Sequence, residues 1–261
     1  LVSPGVVDSV YGGLVDGYLV RYSSNGNSIL ACTYIGTSTY NQTYFVQLDQ
    51  QDDVYVLGQS VNGYTITPGV YNNANSGQFV LQLNNTFTTT IFSTTIGRST
   101  GTIDISPCAF LVNKCGHIYI SGWGGSLNGL YQATSSSTLN LPVTPDAIQL
   151  NSDGSDFYLM IMSEDAQQLL YATFFGGAGA ANEHVDGGTS RFDKDGVVYQ
   201  AVCGGCGGTS NFPTTPGAWS QTNNSTNCNL AVFKIDLKEI IAEGNIISKL
   251  IWHLQNRRNF T

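Results

Sequence analysis

Charge is scarce in this sequence. Only 11% of its 261 residues are Asp, Glu, Lys or Arg, against about 25% in ordinary globular domains, so its polar surface has to be made of Asn, Ser, Thr, Gln and Gly. Basic residues are scarcest: ten Lys and Arg face eighteen Asp and Glu, a net charge of -8 with a pI near 4.6. Such a chain repels a phosphate backbone, which argues against a nucleic-acid binder. Long hydrophobic runs are missing too. No stretch approaches the roughly 18 successive apolar residues of a membrane-spanning helix. No basic-then-apolar leader opens at Leu1, so the sequence reads as a mature protein or an excised piece. Catalytic material is thin, with four Glu and three His and neither a GxSxG nor an HExxH motif. Apolar residues are not in short supply. At 41% hydrophobic, the chain can bury a core without depending on disulfides, as one large all-β domain or two small ones.

What is present repeats. A turn signal recurs as Ser3-Pro4-Gly5-Val6, Thr67-Pro68-Gly69-Val70-Tyr71, Thr144-Pro145-Asp146-Ala147 and Thr215-Pro216-Gly217-Ala218-Trp219, its prolines spaced by 64, 77 and 71 residues. After each comes an alternating apolar run, at residues 17–22, 78–83, 157–162 and 230–235. A second run follows that ends in glycine, at 29–36, 91–97 and 169–176. A hairpin closes each unit, as in Phe45–Asp49 turning into Val54–Gly58. β-Branched and aromatic residues separated by Asn, Asp, Gly and Ser turns give four short strands per unit. Four strands per repeat is the signature of a β-propeller blade. The expected fold is therefore all-β: about three complete four-stranded antiparallel blades plus the first strand of a fourth over residues 1–237. Since a closed ring takes about 4 to 8 blades, either further chain completes it or a partner covers an open arc.

Residues 238–261 reverse the charge to +2. Ile247, Leu250, Ile251 and Leu254 fall at helical spacing, so this tail reads as a short amphipathic helix docked on the blades, or a linker.

The segments Phe212–Trp219, Leu170–Gly177 and Val54–Gly58 together resemble the SBBP β-propeller repeat of bacterial surface proteins. Glu183–Asp193 is similar to the matching segment of large Bacteroidota proteins that end in a gliding-motility-associated C-terminal domain. The resemblance spans roughly residues 1–237. It implies export by the type IX secretion system and a surface-exposed, multi-domain scaffold or adhesin, and it assigns no catalytic residue. The tail matches neither the immunoglobulin-like or PKD-like modules nor the sorting domain such proteins carry.

Six cysteines in a charge-poor, Asn-rich chain fit an oxidising exterior. Cys108 and Cys115 bracket one hairpin segment and are a candidate disulfide. Cys203-Gly204-Gly205-Cys206 reads as a redox pair, half of a zinc site or a tight staple. The staple is the expectation, because a zinc set with Cys228 and His184 lacks a second closely spaced ligand pair. Cys32, in a strand run, reads as a small hydrophobe.

Glu183-His184-Val185-Asp186 is the densest polar cluster. It admits general acid-base chemistry on a polysaccharide, as a hydrolase or lyase with Asp186 orienting the imidazole. The plainer reading is a rim loop entering a strand. Asp193-Lys194-Asp195-Gly196 looks like the start of a calcium loop but lacks the downstream Glu, and reads as a hairpin turn with a left-handed glycine. Calcium stays open without a motif, and no other cofactor is expected. Trp123, Trp219 and Arg191 are rim candidates for sugars or protein partners, the tryptophans against the alternative of packing plugs. The expected role is a non-enzymatic extracellular module on a bacterial surface, contacting other surface proteins or glycans through its loops. Alternatives are the carbohydrate-active enzyme and a subunit of a larger complex, docked through the edge near Leu230–Ile235.

Overall fold

The computed structural model describes residues 2–125, 136–179, 183–185 and 190–237, in which the chain forms thirteen β-strands and no helix. No helix among the described residues is long and apolar enough to cross a membrane. The expected amphipathic helix at Ile247–Leu254 lies outside them.

The strands form four antiparallel sheets. β1 (Gly17–Tyr22) and β2 (Ile29–Ile35) make the first. The second is β3 (Asn41–Leu48), β4 (Val54–Ser60), β5 (Gln78–Leu83) and β6 (Thr90–Ile96) in that order. The third is β7 (Ser106–Val112), β8 (Ile118–Trp123), β9 (Phe157–Met162) and β10 (Leu169–Phe175). β11 (Arg191–Phe192), β12 (Val197–Gly204) and β13 (Asn229–Asp236) make the fourth.

Three units and one further strand call for thirteen strands, and thirteen are present, but the sheets are cut half a unit away from the sequence units. Each hairpin opens a sheet that the next unit's two runs complete, as where Val56 of β4 pairs with Leu81 of β5. Among the described residues two sheets, not three, therefore have four strands. Each glycine-ended second run is the last strand of its sheet, and the chain leaves it there to start the next.

Two-sided burial explains why the strands are so apolar. In β9, Tyr158, Met160 and Met162 face the second sheet with Leu57, Val80 and Ile96. Phe157, Leu159 and Ile161 face the fourth, against Val198, Phe233 and Ile235. Leu19 and Ile35 of the first sheet meet Val56, Phe79 and Leu81 of the second in the same way. All six residues of β9 are fully buried, and burial of each such large side chain contributes about 1.5–3 kcal/mol. The first strands of successive sheets also lie side by side, β3 against β7 and β7 against β11.

The Thr-Pro turn signals have a structural role that explains their recurrence. Each begins a strap along the outer edge of its sheet's last strand. Ser3 donates its backbone N–H to Cys32 O on β2 at 2.9 Å and accepts the Cys32 N–H on its hydroxyl at 3.0 Å. Thr67 grips Ser93 of β6 the same way, at 2.9 and 3.0 Å. Thr144 grips Ala172 of β10, at 3.1 and 3.2 Å. These clamps hide edges that would otherwise be open to pairing. The straps also staple sheet to sheet: Val7 N–H bonds Phe87 O and Tyr71 N–H bonds Ala166 O, both at 2.8 Å. Thr144→Val leaves the buried Ala172 N–H without its acceptor. We expect a loss of about 1–2 kcal/mol, read as a lower urea midpoint at unchanged slope, with Thr144→Ser close to wild type.

Candidate functional site

The two ends of the stack differ. At one, strands are joined by short turns such as Asp49–Asp53, Asn113–His117 and Asp193–Val197. At the other, the links β4–β5, β8–β9 and β12–β13 are the long ones, residues 61–77, 124–156 and 205–228. Asp193 belongs to the short-turn end: its Oδ1 accepts the N–H groups of Asp195 at 2.9 Å and Val197 at 3.0 Å, and Gly196 has φ +85°. It caps a hairpin turn.

The loop-bearing end gathers buried and half-buried carboxylates behind glycines. Asp16 packs against Gly36, Asp104 against Gly97 and Asp156 against Gly176, so closely that a Cβ on any of these glycines would collide with the carboxylate. This is why each second run ends in glycine. Asp104, with no exposed surface, accepts the backbone N–H of Arg98 at 2.8 Å and its guanidinium Nε at 2.5 Å. Desolvation still outweighs that partner and raises the Asp104 pKa. Asp156 accepts Gln149 Nε2 at 3.2 Å and the Asp153 N–H at 3.3 Å on Oδ2. Glu183 accepts the Gly177 N–H at 3.0 Å on Oε1. Asp156 Oδ1 and Glu183 Oε2 are buried without a hydrogen bond among the described residues. Burial, together with the neighbouring acidic groups, pushes Asp156 up to about 6 and Glu183 up to about 7.

Of the sequence candidates, Glu183 and His184 stand in this cluster, while Asp186 lies outside the described residues. His184 exchanges two backbone hydrogen bonds with Cys203, at 3.3 and 2.9 Å. Its ring lies 5.8 Å from that of Trp123 and its Nδ1 4.0 Å from Cys206 Sγ. Trp123 corrects the rim expectation: it is 7% exposed and packs between the third and fourth sheets. Trp219 is 99% exposed. Arg191 is exposed on β11, paired with Tyr199 across the fourth sheet.

The disulfide expectations need correcting. Cys206 bonds Cys228, while Cys108, Cys115 and Cys203 are thiols. Gly204 and Asn229 are the last register pair of β12 and β13, so the residues just beyond them meet across the sheet end. Cys108 lies near the start of β7 and Cys115 in the turn beyond its end. At about 3.3 Å per residue, the strand holds them roughly 15 to 20 Å apart. Burial raises the Cys108 thiol to about 11, and it contacts Ser121 of the adjacent strand β8 at 3.4 Å. The disulfide also removes two thiolates from the zinc set weighed above, and no metal-binding group of three or more ligands occurs among the described residues. Sequence reading missed Asp156 and the Arg98–Asp104 pair. The signal was there in Asp16 and Asp156, each immediately before a first run and paired with a run-ending glycine.

No protein-family model matches the chain, and no curated protein matches it.

Proposed function

We propose that the sheets are blades of a β-propeller, and that the chain is a non-enzymatic binding scaffold of a secreted bacterial surface protein. One observation carries the reading: the inner sheets are buried on both faces, while the end sheets leave apolar rows bare. Tyr18 and Tyr22 stand on the outward face of the first sheet at 66% and 56% exposure, and Leu230 and Val232 on that of the fourth at 72% and 55%. Trp219 belongs to this second face, since the matching strap residues Tyr71 and Ile148 pack against the following sheet. Such faces accept further sheets of the same kind, which continues the arc toward a ring. The Cys206–Cys228 bond is compatible with an extracellular address.

The carboxylates support the non-enzymatic side. Each is engaged by backbone amides behind a glycine, and Glu183 has no exposed surface. Their raised proton affinity favours a second reading, acid-base chemistry on a polysaccharide with Glu183 as acid. One experiment separates the two: the purified chain is placed on a glycan array and, in parallel, on a polysaccharide panel assayed for released ends. Binding without release is expected. Release that vanishes in Glu183→Ala would overturn the scaffold reading in favour of the enzyme.

A further inference from the structure

We infer that the cleft between the second and third sheets, at the short-turn end, binds an amino sugar whose ammonium is taken between Asp49 and Glu164 beside the Tyr55 hydroxyl. This supplies a ligand class for the binding role proposed above, on which it rests, and it shares no residue with the carboxylate cluster of the loop-bearing end.

The cleft measures about 810 Å³, within the range of about 300–1,000 Å³ usual for ligand sites. One wall is the β3–β4 turn of the second sheet together with the strap at residues 67–70. The other is formed by the β7–β8 and β9–β10 turns of the third sheet. Two cross-links hold the walls: Gln50 Nε2 donates to Lys114 O at 3.2 Å, and the Tyr71 N–H to Ala166 O at 2.8 Å. The walls are thus set before a ligand arrives, which lowers the ordering cost of binding.

Tyr55 points to a ligand. It is 3% exposed and its ring is locked edge-on against Phe92 at 5.9 Å, yet it lines the cleft with a hydroxyl that makes no hydrogen bond among the described residues. A phenol this buried usually has a partner. Charge says which kind of partner fits. Burial, with the charges of Asp49, Asp53 and Glu164, pushes the Tyr55 hydroxyl up to about 12, so carboxylates of both sheets act on one point. Asp49 is set in place by accepting Gln82 Nε2 at 3.2 Å, and Glu164 by the seat of its Cβ against Gly116, where a side chain would collide. The Ser163 hydroxyl and the Gln167 N–H hold Asp165 below the usual carboxylate range. Three carboxylates thus line the cleft against one cation, Lys114, and no ion pair joins them among the described residues. An anionic ligand is repelled here, whereas an ammonium gains charge-assisted hydrogen bonds. A linear amine would leave the rest of the cleft unused. The side-chain amides of Gln51 and Gln167 suit sugar hydroxyls, and Pro68, Val70 and the 45% exposed Ile91 suit the C–H face of a ring.

The test titrates the full chain with the linear trisaccharide of glucosamine by calorimetry, beside two controls. The N-acetylated trisaccharide keeps the rings without the charge, and spermidine keeps the charge without the rings. A dissociation constant on the order of 100 μM is expected for the amino sugar, at least about tenfold tighter than for either control. Glu164→Gln should weaken binding about tenfold, and Tyr55→Phe about fivefold at an unchanged urea midpoint. Lys114→Gln should tighten it about twofold by removing a like charge. Four results would each overturn the proposal: no binding at millimolar amino sugar, equal binding of the acetylated trisaccharide, spermidine binding as tightly, or an affinity that Glu164→Gln leaves unchanged. Binding on the glycan array that survives Glu164→Gln would also overturn it, while leaving the scaffold reading in place.

Discussion

Arg98→Ala should be among the most damaging single changes in this chain, lowering stability by about 3–5 kcal/mol at neutral pH. Asp104 has no exposed surface, and among the described residues its one ion-pair partner is the Arg98 guanidinium at 2.5 Å. Removing the cation leaves a buried carboxylate with the Arg98 backbone N–H and little else to hold its charge. The group then has to stay desolvated as an anion or take up a proton, and both cost free energy. Burial already raises the Asp104 pKa with Arg98 in place, so the variant should regain stability on acidification. Asp104→Asn combined with Arg98→Ala should recover most of the loss, because the amide carries no charge to compensate. Urea unfolding of the two variants and the wild type would check this. A single Arg98→Ala variant within 1 kcal/mol of wild type, as for an ordinary surface pair, would show that the pair does not carry the loop-bearing end.

Stability should also fall as pH rises through the range in which Glu183 ionises. Its folded pKa is about 7, above its ordinary value of 4.5, and that of Asp156 about 6, above 3.8. A carboxyl with a raised folded pKa binds its proton more tightly in the native state than in the unfolded chain. The native state is therefore favoured at low pH, and the advantage is lost from the unfolded pKa up to the folded one. For Glu183 that window runs from about 4.5 to 7 and amounts to on the order of 3 kcal/mol. Asp156 acts over a lower window, from about 3.8 to 6. Glu183→Gln keeps an acceptor for the Gly177 N–H and cannot ionise. It should flatten the stability profile between pH 6 and 7 and reduce the slope below pH 6 to the part that Asp156 carries. Chemical denaturation at half-unit pH steps is the measurement; an unchanged slope between pH 6 and 7 in the variant would remove Glu183 from the account.

Much of the fold was legible locally, and the exceptions share a cause. The runs at 78–83 and 157–162 read as strands because their composition and turns say so, and they are strands. Their partners were not legible. A hairpin run such as Val54–Gly58 presents the same local pattern whether it closes one sheet or opens the next, and only the pairing of Val56 with both Val46 and Leu81 shows that it opens one. The two tryptophans teach the same lesson. Trp123 and Trp219 both sit beside strand ends or turns, yet one lies between two sheets and the other on the last of them. The cysteines followed sequence proximity in the reading, whereas an extended strand carries Cys115 away from Cys108 and a ladder brings Cys228 to Cys206.

The sequence by itself determined the strands and their turns, since these depend on side-chain alternation and backbone sterics within a few residues. Which strands share a sheet, which cysteines meet, and which carboxylates are buried without full partners were decided only by the tertiary structure. Each of these depends on surfaces brought together from distant parts of the chain, where the closeness of a neighbouring sheet, and not the residue itself, sets solvation and contact.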